Sequence, residues 1–279
     1  MADMAYVNGS FMPLGEAMIP IEDRGFQFAD GVYEVIVAYE GQPFLLDEHL
    51  ARLQRSADGI VLGLNCSSLN LEGIIQEGIQ RSGYDDVLVY VQITRGVTSR
   101  QHAVTTELTP SVVLTFKRKP IYEPQLRTEG VSLETTADIR WSHCSIKSIA
   151  LLANIMIKNA AKHRGFFDAI ILTDENEVLE TSCANVFVIR EGVLQTPPAS
   201  DRILHGITRG FLLDVARKEG IANEECAVDL EMLLKSQEVF ITSSSIDIFP
   251  VRSVDGITIG DGKPGPITRR LLSSFPKLK

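Results

Sequence analysis

An α+β fold is what the 279-residue chain predicts, on three observations. Strand-like and helical periodicities share the first 118 residues without the strict alternation of a βαβ protein. Residues 117–124, Lys-Arg-Lys-Pro-Ile-Tyr-Glu-Pro, join two prolines to a short charge run, the composition of a linker. The remainder is mainly short strands with a few helices. The predicted organisation is a small N-terminal domain at 1–118, a linker at 119–125 and a larger domain at 126–279, which this length can support.

The elements follow in order. Tyr6-Val7-Asn8-Gly9-Ser10-Phe11 predicts a hairpin, because Asn-Gly accepts the positive φ angles of a tight turn. Strands are expected at 32–39 and 44–46. Asp47 can cap a helix that runs to about Asp58 with Leu50, Leu53 and Ala57 on one face. Leu71, Ile74, Ile75, Gly78, Ile79 and Ser82 then form a helical stripe that Gly83 stops. Strands at 87–94 and 112–116 flank a polar loop. Beyond the linker, strands are expected at 131–136, 169–173, 186–190 and 239–242. Helices are expected at 151–164, closed by Gly165, and at 209–218, closed by Gly220. No internal repeat or low-complexity tract interrupts them.

A formal charge of −9 argues against a nucleic-acid partner, whose binding rests on clustered Lys and Arg, and Lys117-Arg118-Lys119 is too short to offset it. No run approaches the roughly eighteen apolar residues of a membrane span. Residues 1–6 lack a basic region followed by an apolar stretch. A soluble, cytoplasmic protein with no membrane partner is expected. Cys66, Cys144, Cys183 and Cys226 have neither CxxC spacing nor the density of a disulfide scaffold, so reduced thiols and no metal are predicted.

Residues 180–209 carry the densest functional pattern. Glu180-Thr181-Ser182-Cys183-Ala184-Asn185-Val186-Phe187 is followed by Leu194-Gln195-Thr196 and then by Leu204-His205-Gly206-Ile207-Thr208-Arg209. Upstream, Trp141-Ser142-His143-Cys144-Ser145-Ile146-Lys147-Ser148 holds a lysine in an apolar run. A lysine that attacks an aldehyde must lose its proton, which burial or a nearby cation favours. Of the ten lysines only Lys147 lies between apolar residues, with Ile146 before it and Ile149 to Leu152 after. Lys117 and Lys119 fall in the linker, and Lys158 and Lys162 on the polar face of a helix. Lys218, Lys235, Lys263, Lys277 and Lys279 fall at helix ends, turns or the tail.

Taken alone, these residues also have plainer readings. Composition favours Lys147 snorkelling from a strand end. Glu180, after a turn at Asp174-Glu175-Asn176, reads as a solvated surface residue, and Leu204 as a core leucine. Thr208 suits an N-cap as well as an anion site, in which the amides of Ile207 and Thr208 would address one oxyanion. Arg52 lies off the Leu50, Leu53, Ala57 stripe, facing either a site or solvent. Arg100 and His102, two apart in the polar 95–110 loop, can face the same way, or simply be solvated.

The three blocks, with Lys147 upstream, resemble the class-IV (fold-type IV) aminotransferases that use pyridoxal phosphate, and the likeness extends from Tyr6 to about Phe275. The resemblance implies a small N-terminal α/β domain and a larger C-terminal pseudo-barrel. It implies Lys147 as the catalytic lysine, forming an aldimine with the cofactor and moving the proton at the substrate Cα. Glu180 would face the pyridine nitrogen and keep it protonated. Arg52, Ile207, Thr208, Ser243 and Ser244 would hold the phosphate, and Leu204 would pack on the ring. Tyr33, within Asp30-Gly31-Val32-Tyr33-Glu34-Val35, would line the substrate pocket.

Arg100-Gln101-His102 matches the Arg-x-His of the D-amino-acid aminotransferases, in which a planar guanidinium fork and a third donor meet the α-carboxylate. In that subgroup the pair reaches into the neighbouring subunit's site, which implies a homodimer. The implied reaction is ping-pong transamination of D-amino acids, D-alanine and 2-oxoglutarate giving pyruvate and D-glutamate. Branched-chain aminotransferases carry a tyrosine five residues after the lysine, where Leu152 stands here, and lack the Arg-x-His loop; residues 251–256 look equally like that group. Cys183 and Ala184 replace hydroxyl residues often found near the substrate. A branched-chain L-amino-acid aminotransferase, an (R)-amine transaminase and an aminodeoxychorismate lyase are the alternatives of the same fold. A non-catalytic phosphate-binding module would keep Thr208 and Ser243 without needing Lys147.

Overall fold

The computed structural model describes residues 1–275; Lys277 and Lys279 lie outside the described residues. The chain forms two compact units, one of residues 1–120 with 146–150, the other of residues 121–145 with 151 onward. The segment Ile146–Ala150, beyond the expected linker, thus belongs to the N-terminal unit.

That unit is an antiparallel sheet with two of its helices packed on one face. Its strands are β1 (Met4–Val7), β2 (Ser10–Pro13), β3 (Gly31–Tyr39), β4 (Gln42–Pro43), β5 (Val87–Thr94) and β6 (Ser111–Arg118), in the order β2-β1-β6-β5-β3-β4. The helices are α1 (Arg24–Phe28), α2 (Leu46–Gly59) and α3 (Leu71–Ser82). Asn8 and Gly9 take positive φ in the β1–β2 turn, and Gly83 takes φ 69 where α3 stops, as their residue types predict. Alternation along β3 buries Val32 and Ile36 with Leu53, Ile75, Val89, Leu114 and Phe116 in one apolar cluster. A Cβ on Gly78 would come within 2.0 Å of the Phe116 ring, so glycine is what lets α3 lie this close to β6.

Three expectations are corrected. Residues 44–46 form no strand, since β4 ends at Pro43 and α2 begins at Leu46. Asp47 does not cap α2: Leu45 holds the N-cap position in a left-handed conformation, and Asp47 and Glu48 act from the first turn, where negative charge favours the helix dipole. Lys117 lies in β6, not in a linker.

The second unit contains α4 (Gln125–Thr128), β7 (Val131–Ala137), α5 (Leu152–His163), β8 (Asp168–Leu172), β9 (Val178–Thr181), β10 (Asn185–Arg190) and β11 (Val193–Thr196). It continues with α6 (Ile207–Lys218), β12 (Asn223–Glu225), α7 (Leu230–Leu234), β13 (Glu238–Ser243), β14 (Asp247–Val254), β15 (Ile257–Thr258) and α8 (Pro266–Leu272). Strand order runs β12-β11-β10-β13-β14-β7-β8-β9, and β9 also pairs with β10. That last pairing closes β10, β13, β14, β7, β8 and β9 into a ring, which is the expected pseudo-barrel. Leu133, Ile170, Val186, Val188, Ile241 and Phe249 fill one of its cores. Ile157 and Ala161 of α5 pack with Ala169, Ile171 and Leu179 in another.

Candidate active site

In the N-terminal unit, residues 146–150 run beside the start of β3. The Tyr33 N–H donates to the Lys147 carbonyl at 3.0 Å, the Ile149 N–H donates to the Gly31 carbonyl at 3.1 Å, and Val32 bridges Ser148. Ser56 of α2 accepts the Lys147 N–H on its hydroxyl oxygen at 3.1 Å. Gly31 is required here, because a Cβ would sit 2.7 Å from the Ile93 carbonyl oxygen and 3.1 Å from Ile149 Cδ1. These bonds fix the backbone of Lys147. Its side chain is half-buried, with Nζ 4.2 Å from the centre of the Tyr33 ring.

Glu34, the next residue along β3 from Tyr33, points to the opposite face of the sheet and is fully buried. It accepts from Arg52 Nε at 2.6 Å and Nη2 at 2.9 Å and bonds His49 Nδ1 at 2.7 Å. Arg52 is itself buried, which excludes a solvent-facing orientation. The sequence reading missed the role of Glu34, although the period of β3 carried the signal: a glutamate between inward-facing Val32 and Ile36 needs a buried partner. Burial by itself would raise the Glu34 carboxyl, but the Arg52 charge and the His49 and Arg52 hydrogen bonds outweigh it and hold the group at about 2. Burial lowers His49, aided by the charges of Arg52 and Lys147 and opposed by Glu34.

A pH dependence follows from these directions. Glu34 is depressed from 4.5 to about 2, so its contribution is complete above pH 4.5 and is lost as the pH falls toward 2; it is on the order of 3 kcal/mol. His49, depressed below 6.5, is neutral in the fold and takes up a proton on unfolding, so it also weakens the fold as the pH falls below 6.5. Melting temperature should therefore decline gently below pH 6.5 and steeply below 4.5. Glu34→Gln should be less stable at pH 7 yet show a flatter acid limb, and an unchanged limb in that variant would overturn the assignment.

Arg100 and His102 are both exposed. The Arg100 guanidinium carbon lies 4.8 Å from the centre of the Phe28 ring, and the His102 ring meets the same ring edge-on at 5.6 Å. The structure thus brings these two residues to one aromatic side chain.

In the C-terminal unit Glu180 and Leu204 meet at Asn185. Glu180 of β9 and Asn185 of β10 are register partners where the ring closes, and Asn185 is in turn opposite Thr242 of β13. Glu180 is buried, not a surface residue. Its Oε1 accepts from Arg140 Nη1 at 2.5 Å, Oε2 accepts from Asn185 Nδ2 at 3.3 Å, and the Leu204 N–H donates at 3.2 Å to both. Arg140 also donates to Asp138 at 2.9 and 3.1 Å and to the Arg202 carbonyl at 3.0 Å. Burial opposes its charge, but Asp138 and Glu180 reverse this and hold Arg140 firmly protonated. Asn185 Nδ2 further donates to the Leu204 carbonyl at 2.9 Å, and Leu204 is half-buried and not a core leucine.

Gly206, not Thr208, is the N-cap of α6, and no side chain caps that helix. Ile207 and Thr208 open its first turn, where N–H groups lack helical partners. A Cβ on Gly206 would lie 2.1 Å from Asn185 Oδ1. Helix α6 packs on β13, which ends at Ser243. Ser243 and Ser244 are half-buried in the turn that Ser243 and Asp247 close in register. Arg127 donates to the Ile246 carbonyl at 3.1 Å and to Asp247 Oδ2 at 2.8 Å, holding that turn. The sequence reading placed Asn185 in the motif without a chemical role and gave no part to Arg140 or Arg127. Asn185, the polar start of an apolar strand, was the one carrying a local signal.

Cys183 is exposed and Ala184 buried at the β9–β10 connection. Among the described residues no cluster of three or more His, Cys, Asp or Glu could hold a metal ion, and no helix is long and apolar enough to cross a membrane.

Residues 31–254 match the family described as amino-transferase class IV. The chain is similar to the D-alanine aminotransferase of Bacillus licheniformis, 43% identical over 270 residues that cover 96% of this chain and 94% of that one. It is similar also to the D-alanine aminotransferase of Listeria innocua, 39% identical over 271 residues covering 96% and 93%. In fold it is similar to a branched-chain amino acid aminotransferase of T.th. determined with pyridoxamine 5'-phosphate, at a TM-score of 0.87 and 26% identity over 97% of this chain and 92% of that one.

Proposed function

The chain belongs to the class-IV aminotransferase family, and from that premise we propose that it transaminates D-amino acids with pyridoxal phosphate, D-alanine and 2-oxoglutarate giving pyruvate and D-glutamate. The near-full-length identity to D-alanine aminotransferases supports the reaction. The gathering of Arg100 and His102 on Phe28 is the observation that carries the substrate class, because it lets two donors address one carboxylate.

The residues fit the cofactor. An uncapped helix start at Ile207 and Thr208 offers N–H groups to a phosphate, and the hydroxyls of Thr208, Ser243 and Ser244 and the Arg52 guanidinium complete the proposed anion set. Leu204 would pack on the ring. Glu180, already an acceptor for Arg140, Asn185 and Leu204, would hold a proton on the pyridine nitrogen. When bound, pyridoxal phosphate supplies the electron sink for charge developing at the substrate Cα. Lys147 Nζ would anchor the cofactor and, as a free amine, would take the substrate Cα proton as general base and give a proton back as general acid. Tyr33, whose ring lies against Nζ, would orient that amine and border the substrate.

The active unit in this reading is a homodimer in which the Arg100 loop serves the partner's site. Exposed Leu152, Ile155 and Met156 on one face of α5, and exposed Met18, Ile21 and Phe26 in the N-terminal unit, supply apolar surface for self-association. The four free thiols fit a cytoplasmic location.

The test is a half-reaction of holoenzyme without an oxo acid. D-Alanine should bleach the visible band of the bound cofactor faster than L-leucine or an (R)-amine by about two orders of magnitude. Faster bleaching by L-leucine would favour the branched-chain alternative and overturn the D-specific reading.

A further inference from the structure

The loop that carries Arg100 and His102 has little regular structure, yet its course is fixed from outside by residues 22–30. Asp23 bridges Val97, the Arg24 N–H donates to the Gly96 carbonyl at 2.9 Å, and Asp23 Oδ2 accepts from the Thr94 hydroxyl at 2.9 Å. Arg24 itself is 5% exposed. Its Nε donates to Asp30 Oδ2 at 2.7 Å, while Nη1 donates to the Gln101 carbonyl at 2.6 Å and Nη2 to the His102 carbonyl at 3.2 Å. Asp30 is pinned from its other side by Arg95 Nε, at 3.1 and 2.9 Å to its two oxygens. The Arg24 guanidinium carbon also lies 4.9 Å from the centre of the Phe28 ring, the ring that Arg100 and His102 contact.

Arg24 spends only its Nε on a carboxylate. Its two terminal nitrogens go to consecutive main-chain carbonyls, those of the two peptides that flank His102, so they fix the backbone from which the His102 side chain leaves, two residues after Arg100. A rigid planar fork can hold two carbonyls at once; an ammonium cannot hold both with the same geometry. Recognition of a carboxylate by two donors depends on such prior ordering, because a mobile loop would pay the ordering entropy on binding.

We propose that Arg24 and Phe28 are positioning residues for the substrate α-carboxylate: Arg24 fixes the Gln101 and His102 carbonyls, and Phe28 is the platform that holds the Arg100 and His102 side chains side by side. The proposal rests on the reading of Arg100 and His102 as the carboxylate ligands.

The experiment compares holoenzyme carrying Arg24→Lys, Phe28→Leu, Arg100→Ala and the double change Arg24→Lys with Arg100→Ala. Steady-state constants are measured for D-alanine and for (R)-1-phenylethylamine, which has no carboxylate, and propionate is titrated as a competitive inhibitor of D-alanine turnover. Arg24→Lys should raise KM for D-alanine and the inhibition constant of propionate by about tenfold or more, the equivalent of one misaligned charge-assisted hydrogen bond, while kcat changes far less. Turnover of the amine should keep its wild-type KM. In the double variant the Arg24 effect should largely vanish, since it acts through Arg100. Phe28→Leu removes only a half-buried ring and should give the same KM pattern with cofactor loading intact, so the proposal stays testable should Arg24→Lys fold poorly. Equal losses for alanine and the amine, or an Arg24 effect of full size in the Arg100→Ala background, would overturn the proposal. An unchanged KM for D-alanine in Arg100→Ala would instead remove the carboxylate reading itself, and the proposal with it.

Discussion

Lys147→Ala is expected to abolish transamination while the chain still folds. The backbone of residue 147 is held by Ser56 through its N–H and by Tyr33 through its carbonyl, bonds that alanine keeps. What alanine removes is the amine above the Tyr33 ring. Loss of a general base and acid alone typically costs 10² to about 10⁴ in rate, and the covalent anchor is lost as well, so kcat/KM should fall by at least about 10⁴. Single turnovers with D-alanine, together with far-ultraviolet circular dichroism, check both halves of the claim. Near-normal turnover would sink the mechanism. The same variant examines the shared-site reading: mixed with an Arg100→Ala chain, it should regain activity, because one of the two sites in the heterodimer then has both residues intact. No recovery in a verified heterodimer would overturn the cross-subunit role of the loop.

Arg52→Ala should show the second largest effect, and its first expression should be in stability. Arg52 neutralises Glu34, which is fully buried, and removing one member of such a pair costs roughly 3–5 kcal/mol because the remaining charge is stranded. Melting of the cofactor-free variant should fall by on the order of 10 °C. If Arg52 also binds the phosphate, cofactor affinity should weaken by a further amount of roughly 1.5–3 kcal/mol, so excess pyridoxal phosphate should restore activity only where the variant remains folded. Arg52→Lys keeps the charge but not the two-pronged contact and should fall between the two. Unchanged melting of the cofactor-free Arg52→Ala chain would mean that Glu34 finds another partner.

Much of this architecture was legible in the sequence because it is local. The Asn8-Gly9 turn, the stripe from Leu71 to Ser82 with Gly83 at its end, and the strand Val87–Thr94 each depend on neighbours a few residues away. Helix α1 has only five residues, too few to display a period, and its cap Asp23 acts within one turn. The start of α2 misled for a related reason: Asp47 is a good cap by type, but Leu45 adopts the left-handed conformation there, a choice that propensity does not foretell.

The site divides in the same way. Lys147, Glu180, Thr208 and Ser243 were nominated by family spacing, and so were Arg100 and His102. The groups that hold them were not. Glu34 is 18 residues from Arg52, Arg140 is 40 from Glu180, and Arg24 is 77 and 78 from the carbonyls it binds. Such pairings depend on the tertiary fold, and a single sequence shows each member only as an ordinary charge.

The seam of the barrel separates what can be varied from what cannot. Glu180 and Asn185 join β9 to β10, so one side chain is both a candidate for the chemistry and part of the stitch that closes the ring. Arg100 and His102 stand on an exposed loop whose redesign disturbs no strand pairing. Variation of substrate range therefore has a natural address at residues 99, 101 and 103, with Arg100 and His102 kept, whereas randomising residues 180–185 would confound every gain in chemistry with a change in the closure of the barrel.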